Sequence, residues 1–130
     1  DKSLATIPNF QFAENAVINN SLTTNRRINW LIGLEYKTTS EQLKNIKNQI
    51  ENFVKGNKHF SSSGDTFLSV KIDQFAASSI DIRLICFTKT TNYIEWMNVK
   101  DILAIEIKAI VEKNNASFAF PSTSIYVEKN

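Results

Sequence analysis

A strictly alternating pattern of apolar residues constrains the fold of this chain more than any other feature. Within residues 27–36 every second side chain is apolar, namely Ile28, Trp30, Ile32, Leu34 and Tyr36. A period of two predicts a β-strand with one buried face. The pattern then changes to a helical period, so the chain is expected to place a strand and a helix in succession on one core.

The first helical period starts at residue 39. Thr39 and Gln42 have the spacing of a capping box, in which each side chain bonds the backbone N–H of the other residue. Gly56 is a typical helix stop. Between them the apolar residues recur at helical spacing, and the opposite face is Lys, Asn, Gln and Glu. The apolar positions are Leu43, Ile46, Ile50, Phe53 and Val54.

Two more alternating segments follow a polar loop at residues 57–65, and residues 74–78 form the turn between them. Together they predict a β-hairpin. Its apolar positions are Leu68, Val70 and Ile72 in the first strand and Ile80, Ile82, Leu84 and Cys86 in the second.

A second helix is predicted to begin at Asn92, which has Glu95 three residues further on, and to end at Asn114 and Asn115. Its inner stripe is Trp96, Val99, Leu103, Ile107 and Ile110. A short last strand is expected at residues 124–128.

The predicted element order is therefore βαββαβ. One-sided alternation in the strands implies an antiparallel sheet with both helices on one face, which is an α+β fold of the ferredoxin-like split type. Residues 1–21 contain two short apolar segments around Pro8 that are predicted to be short strands, and these are too few to bury a sheet alone. We expect them to pack on the main domain or on other chains.

The composition supports one main core and gives no sign of a nucleic-acid partner. The 130 residues are 42% hydrophobic and 22% charged, and the net charge is only +2. The basic residues alternate with Glu and Asn instead of forming a block. No apolar run approaches the roughly 20 residues that cross a bilayer, and the start lacks a signal-peptide core. We expect the chain, as given, to be soluble.

No residue suggests catalysis, a metal site or a cofactor. His59 lies in a polar loop without Asp, Glu or Cys at ligand spacing. Cys86 is the single cysteine and occupies an inward strand position, so it is interpreted as a buried apolar residue. The helical glutamates form no acid-base pair, and three glycines leave little room for a phosphate loop. The sequence therefore predicts a protein that is not an enzyme.

Six short motifs, in order, resemble the cytoplasmic C-terminal region of small-conductance mechanosensitive (MscS-type) channels. They are Ala5-Thr6-Ile7-Pro8-Asn9, Arg26-Arg27-Ile28, Gly33-Leu34-Glu35-Tyr36, Ser78-Ser79-Ile80-Asp81-Ile82-Arg83, Thr90-Thr91-Asn92-Tyr93 and Phe118-Ala119-Phe120-Pro121-Ser122. The resemblance makes residues 1–24 the end of a middle β-domain with its junction, and residues 25–130 an α/β domain. The chain departs from the family at Ala76-Ala77, where Gly-Asp is frequent, and nothing resembles the small C-terminal barrel of some members.

The resemblance implies a part of a channel. Membrane helices would precede this region in the sequence. The region itself would lie on the cytoplasmic side of the bacterial inner membrane. Seven copies would form a hollow homo-oligomeric cage whose side portals admit ions and small osmolytes. Membrane tension in a swelling cell would open the pore.

The resemblance also places the portals near the junction, which makes Asn20, Ser21, Asn25, Arg26 and Arg27 candidate portal-lining residues. A pair of arginines there would favour anions or slow cations. The competing interpretation is that an arginine pair before a strand forms a solvated edge or an ion pair.

Helix two indicates a subunit contact independently of the resemblance. At 100° per residue Ile94 and Ile105 fall on its polar side, in one stripe with Asn98, Asp101, Lys108 and Glu112. Exposed isoleucines on such a face suggest a neighbour, although single exposed apolar residues are common.

The alternative function is a stand-alone ferredoxin-like module that binds small molecules or acts in regulation or scaffolding. A metal chaperone would need a cysteine pair, and an RNA-binding sheet would need aromatic residues on its central strands. A small-molecule sensor meets neither obstacle.

Overall fold

The computed structural model describes residues 25–62 and 66–120. In chain order the elements are β1 (Arg27–Leu34), α1 (Ser40–Lys55), β2 (Phe60–Ser61), β3 (Ser69–Phe75), β4 (Ile80–Thr88) and α2 (Tyr93–Lys113). The two helices and the hairpin are thus confirmed. The expected strands within residues 1–21 and at residues 124–128 lie outside the described residues.

The four strands form one antiparallel sheet around β4. On one side β4 pairs with β1, from Leu34 opposite Ile80 to Arg27 opposite Phe87. On its other side β4 pairs with β3 and, further along, with β2. The register of the hairpin shifts between Ile72 and Gln74, which marks a bulge in β3. An α+β fold with an antiparallel sheet and two helices is therefore confirmed.

The core lies between the helices and one face of the sheet. Even-numbered side chains of β1 and β4 point to this face, as the period of two predicts. They form one buried cluster with the inner faces of α1 and α2, so both helices cover the same side. The strand residues are Ile28, Trp30, Ile32, Leu34, Ile80, Ile82, Leu84 and Cys86.

The capping box that the sequence predicts for α1 is confirmed. The backbone N–H of Gln42 donates to Thr39 Oγ1 over 3.1 Å, and the backbone N–H of Thr39 donates to Gln42 Oε1 over 2.7 Å. Gln42 Nε2 also donates to the backbone oxygen of Asn114 over 2.8 Å. One side chain therefore caps α1 and ties it to the end of α2.

Three details of the predicted strands are wrong. The turn predicted at residues 74–78 begins later, because Gln74 and Phe75 still pair with β4 as the end of β3. The polar loop at residues 57–65 contains β2, because Phe60 is buried and pairs with Thr88. A strand of two residues has no period that a sequence could reveal. In addition, β1 ends at Leu34 instead of Tyr36, which lies in a turn and is 49% exposed. Tyr36 instead stacks on Phe75 of the hairpin, with ring centroids 6.5 Å apart.

The chain returns to the free side of β1 after α2. The backbone N–H of Glu35 donates to the oxygen of Ser117 over 3.1 Å, and that of Ala119 donates to the oxygen of Gly33 over 3.0 Å. An antiparallel bridge joins Leu34 to Phe118 between these bonds. The segment 117–119 is thereby fixed beside α2 and forms the wall of a groove described below.

Candidate functional site

The outer face of α2 carries the predicted stripe of exposed residues. All six of its members are exposed, and Ile94 and Ile105 are 65% and 64% exposed. The helical projection is confirmed in this respect. The contact between subunits that we predict for Ile94 and Ile105 stays a prediction.

Exposed apolar side chains on α2 are not confined to that stripe. Tyr93, Met97 and Ile102 are also exposed, by 55%, 41% and 40%. The exposed positions of α1 are instead all polar, namely Ser40, Glu41, Lys44, Asn48, Asn52 and Lys55. A helix that is apolar on most sides is normally covered, whereas one with a polar outer face is solvated. The two helices therefore differ in the chemical character of their outer faces. Sequence analysis missed Met97 and Ile102 because they lie beside the projected stripe.

An apolar groove of about 570 Å³ separates α2 from the segment 117–120. Its lining includes Ala104, Ile105, Phe118 and Phe120, with Glu35 and Lys108 as its charged members. Phe120 is 72% exposed. Ile105 belongs both to this groove and to the exposed stripe, so the two features form one continuous surface. No pattern in the sequence could reveal the groove, because it depends on how the segment 117–120 packs beside α2.

Arg26 fastens the start of β1 to the first turn of α2. Its Nε donates to the backbone oxygen of Thr91 over 2.9 Å, and its guanidinium carbon lies 5.0 Å from the Trp96 ring centroid. Lys100 Nζ lies 3.8 Å from the same centroid. Trp96 thus has two cations close to its ring and, as the sequence predicts, is buried.

The candidate portal residues differ in their surroundings. Asn25 Nδ2 donates to the backbone oxygen of Thr88 over 2.7 Å, so Asn25 and Arg26 both hold the start of β1 against neighbouring elements. Arg27 is half-buried in β1, and no ion pair of its side chain occurs within residues 25–62 and 66–120. Asn20 and Ser21 lie outside the described residues. Portal lining by all five residues stays a prediction.

The sheet face away from the helices carries a polar network. Arg83 donates to Asp73 Oδ1 over 3.2 Å and to Asn29 Oδ1 over 2.8 Å. Asp81 is buried and accepts from Ser79 Oγ over 2.7 Å and from Gln74 Nε2 over 2.9 Å. These carboxylates are occupied by structural hydrogen bonds, an arrangement that rigidifies a sheet.

The residues with reactive side chains lie apart from one another. Cys86 is buried, as the sequence predicts, and burial raises the pKa of its thiol to about 12, which leaves it uncharged and unreactive. His59 is half-buried in the connection between α1 and β2. Across residues 25–62 and 66–120, no three His, Cys, Asp or Glu side chains come close enough to hold a metal ion.

Comparison with known proteins gives a family for this arrangement. Residues 28–118 match the family model described as mechanosensitive ion channel MscS, C-terminal. An uncharacterized MscS family protein of Aquifex aeolicus is 38% identical over 129 residues, which are 99% of this chain and 34% of that protein. The low conductance mechanosensitive channel YnaI of Escherichia coli is 35% identical over 125 residues, 94% of this chain and 35% of the channel. The chain thus spans about a third of these relatives.

Solved structures show the same fold. The crystal structure of Helicobacter pylori MscS in a closed state superposes with a TM-score of 0.60 at 22% identity, over 79% of this chain and 38% of that one. Arabidopsis thaliana MSL1 gives a TM-score of 0.64 at 19% identity, over 80% of this chain and 37% of that one. In the described part of the chain, neither helix has the length and apolarity to span a membrane. Because the family model covers residues 28–118, the chain belongs to the MscS family of mechanosensitive ion channels and contains the C-terminal domain of that family.

Proposed function

We propose that this chain forms part of the cytoplasmic cage of a channel in the bacterial inner membrane. In this role it has no enzymatic activity. Membrane helices elsewhere in the protein form the pore, and tension from osmotic swelling opens it. Ions and small osmolytes reach the pore through the cage. The match of residues 28–118 to the MscS C-terminal model supports this assignment, and so do the named channels among the relatives.

The cage is a homo-oligomer, a heptamer by resemblance, and we assign its subunit contact to the outer face of α2. The observation that carries this assignment is the contrast between the two helices. Ile94 and Ile105 are about two-thirds exposed on α2, whereas α1 exposes only polar side chains. Because the groove beside Ile105 continues this apolar surface, the neighbouring subunit has a concave site to fill.

Portals near the junction are lined by Asn20, Ser21, Asn25, Arg26 and Arg27. Among the described members, Arg27 is expected to act most on passing ions, because the guanidinium of Arg26 is held in place by the Thr91 carbonyl and the Trp96 ring. Reversing the charge of Arg27 therefore changes the anion preference more than the same change at Arg26.

The finer fold is the ferredoxin-like split βαββαβ arrangement. The order of β1, β4 and β3 and the position of both helices on one face support it. Its fourth strand would be at residues 124–128. We favour the channel over the alternative of a stand-alone regulatory or scaffolding module, because the matching family model is that of a mechanosensitive ion channel.

Site-specific photocrosslinking in the full-length channel tests the α2 contact. We would place p-benzoylphenylalanine at Ile105, and at Lys44 on α1 as the matched control. Ile105 should yield crosslinked species up to the full oligomer, and Lys44 should yield monomer. Equal crosslinking at both positions, or none at Ile105 in a channel that runs as an oligomer on native gels, would contradict the assignment of the α2 face.

A further inference from the structure

A second cavity, of about 550 Å³, lies between the α1–β2 connection and the first half of α2. It shares no lining residue with the apolar groove beside Ile105. Its chemistry is also different, since the described residues that line it include three basic side chains and one acidic side chain. The lining residues that matter are Lys58, His59, Lys89, Glu95, Val99 and Ile102. A cavity of this volume is within the range that holds small ligands.

The pairing of β2 with β4 gathers the basic residues. Phe60 pairs with Thr88, and the backbone N–H of Lys89 donates to the oxygen of His59 over 2.9 Å. Lys58 precedes His59, so two lysines and a histidine meet at one rim. The net charge of the whole chain is only +2, so this clustering of basic side chains is a local feature of the surface.

Basic side chains outnumber acidic ones at this rim among the described residues. Neither Lys58 nor Lys89 forms an ion pair within the part of the chain that the structure describes. The carboxylate of Glu95 accepts a hydrogen bond from Thr90 Oγ1 over 2.7 Å, which holds it at the first turn of α2. An anion in the cavity would supply the missing counter-charge.

Two apolar side chains of α2 also line the cavity. Val99 is 3% exposed and Ile102 is 40% exposed, and both line it from α2. A ligand that matches both sets of residues has a charged group beside the basic side chains and a compact apolar body against Val99 and Ile102. A phosphate dianion matches two ammonium groups and an imidazole better than a single carboxylate does. We propose that this cavity binds a small organic phosphate monoester.

The test uses phenyl phosphate as the probe and the ¹⁵N-labelled 130-residue chain. Titration followed by heteronuclear NMR should shift the amide signals of His59, Lys89 and Val99 with a saturable dependence. The double variant Lys58→Gln, Lys89→Gln should weaken binding about tenfold, as expected when two exposed charge contacts are lost. The matched control Lys44→Gln, Lys113→Gln removes the same charge elsewhere and should leave the affinity within about twofold.

The apolar contact is tested separately. Ile102→Asn should weaken phenyl phosphate several-fold and leave inorganic phosphate unchanged. Equal weakening by both lysine pairs would show non-specific attraction and overturn the proposal. So would equal affinity for inorganic phosphate and phenyl phosphate, or the absence of saturable shifts in the wild-type chain. Phenol binding as tightly as phenyl phosphate would overturn the assignment of an anion.

Discussion

The carboxylate of Asp81 occupies the space beside Gly33, its direct partner across β1 and β4. A Cβ at Gly33 would come within 3.3 Å of Asp81 Oδ1 and 3.4 Å of Ser79 Cβ. The carboxylate is fixed, because Ser79 Oγ donates to Oδ1 and Gln74 Nε2 donates to Oδ2. Glycine is therefore needed for close approach of two strands and not for an unusual backbone angle.

Gly33→Ala should lower the free energy of unfolding by about 1 to 2 kcal/mol, because the two hydrogen bonds of the Asp81 carboxylate oppose its displacement by the new methyl group. Gly56→Ala is the matched control. A Cβ there would meet only the oxygen of Asn52 at 3.4 Å, and the backbone has φ −91°, so the cost should stay below about 0.5 kcal/mol. Urea unfolding of both variants decides the matter. A larger loss at Gly56 would refute the steric explanation.

The same steric conflict predicts a sign change in a double-mutant cycle. Asp81→Ala alone removes the acceptor of Ser79 and Gln74 and should cost about 1 to 3 kcal/mol. In that background Gly33→Ala should become neutral or mildly stabilising. The clash is absent, and alanine lowers the backbone entropy of the unfolded chain relative to glycine. An unchanged cost of Gly33→Ala in both backgrounds would mean that Asp81 is not the obstacle.

The contact of Arg26 with Trp96 should contribute measurably to stability. Arg26→Gln removes the cation over the ring and the hydrogen bond to the Thr91 oxygen, and should cost about 1 kcal/mol. Arg27→Gln should cost less than about 0.5 kcal/mol. Trp96 fluorescence, measured in a Trp30→Phe background, should change with Arg26→Gln alone. Equal losses of stability in the two variants would show that the aromatic contact contributes nothing specific.

Burial of Cys86 predicts a characteristic pH dependence. Its pKa is raised from 9.0 to about 12 in the folded state by desolvation. The folded state therefore favours the protonated thiol, and this contribution to stability is complete below pH 9 and is lost as the pH rises towards 12. Unfolding between pH 8 and pH 11 should show a steeper loss for wild type than for Cys86→Ala. Parallel curves would contradict the buried thiol, as would rapid reaction of the native protein with Ellman's reagent at pH 8.

Residue spacing within single elements predicts most of this fold. The features that it does not predict depend on contacts between segments that are distant in the sequence. The Thr39–Gln42 capping box and the Trp96 stripe follow from spacing within one helix, so the sequence alone was sufficient. β2 has two residues and no period, and its partner Thr88 is distant in the chain. The groove beside Ile105 and the cavity at Lys89 both need such distant segments to meet. The exposure of Ile94 and Ile105, in contrast, was visible from the helical projection because the stripe belongs to one element.

A pair of isoleucines two positions apart on α2 tests whether the outer face matters to the monomer. Ile107 is 1% exposed in the core, and Ile107→Ala should cost about 2 to 5 kcal/mol. Ile105 is 64% exposed, and Ile105→Ala should cost less than about 1 kcal/mol. Urea unfolding at several dilute protein concentrations provides the measurement, and midpoints independent of concentration verify that the chain is monomeric. A large loss at Ile105 under these conditions would make it a core residue. A small loss means that the apolar side chain of Ile105 contributes little to the stability of the monomer. This is the result expected for a residue that contacts a neighbouring subunit.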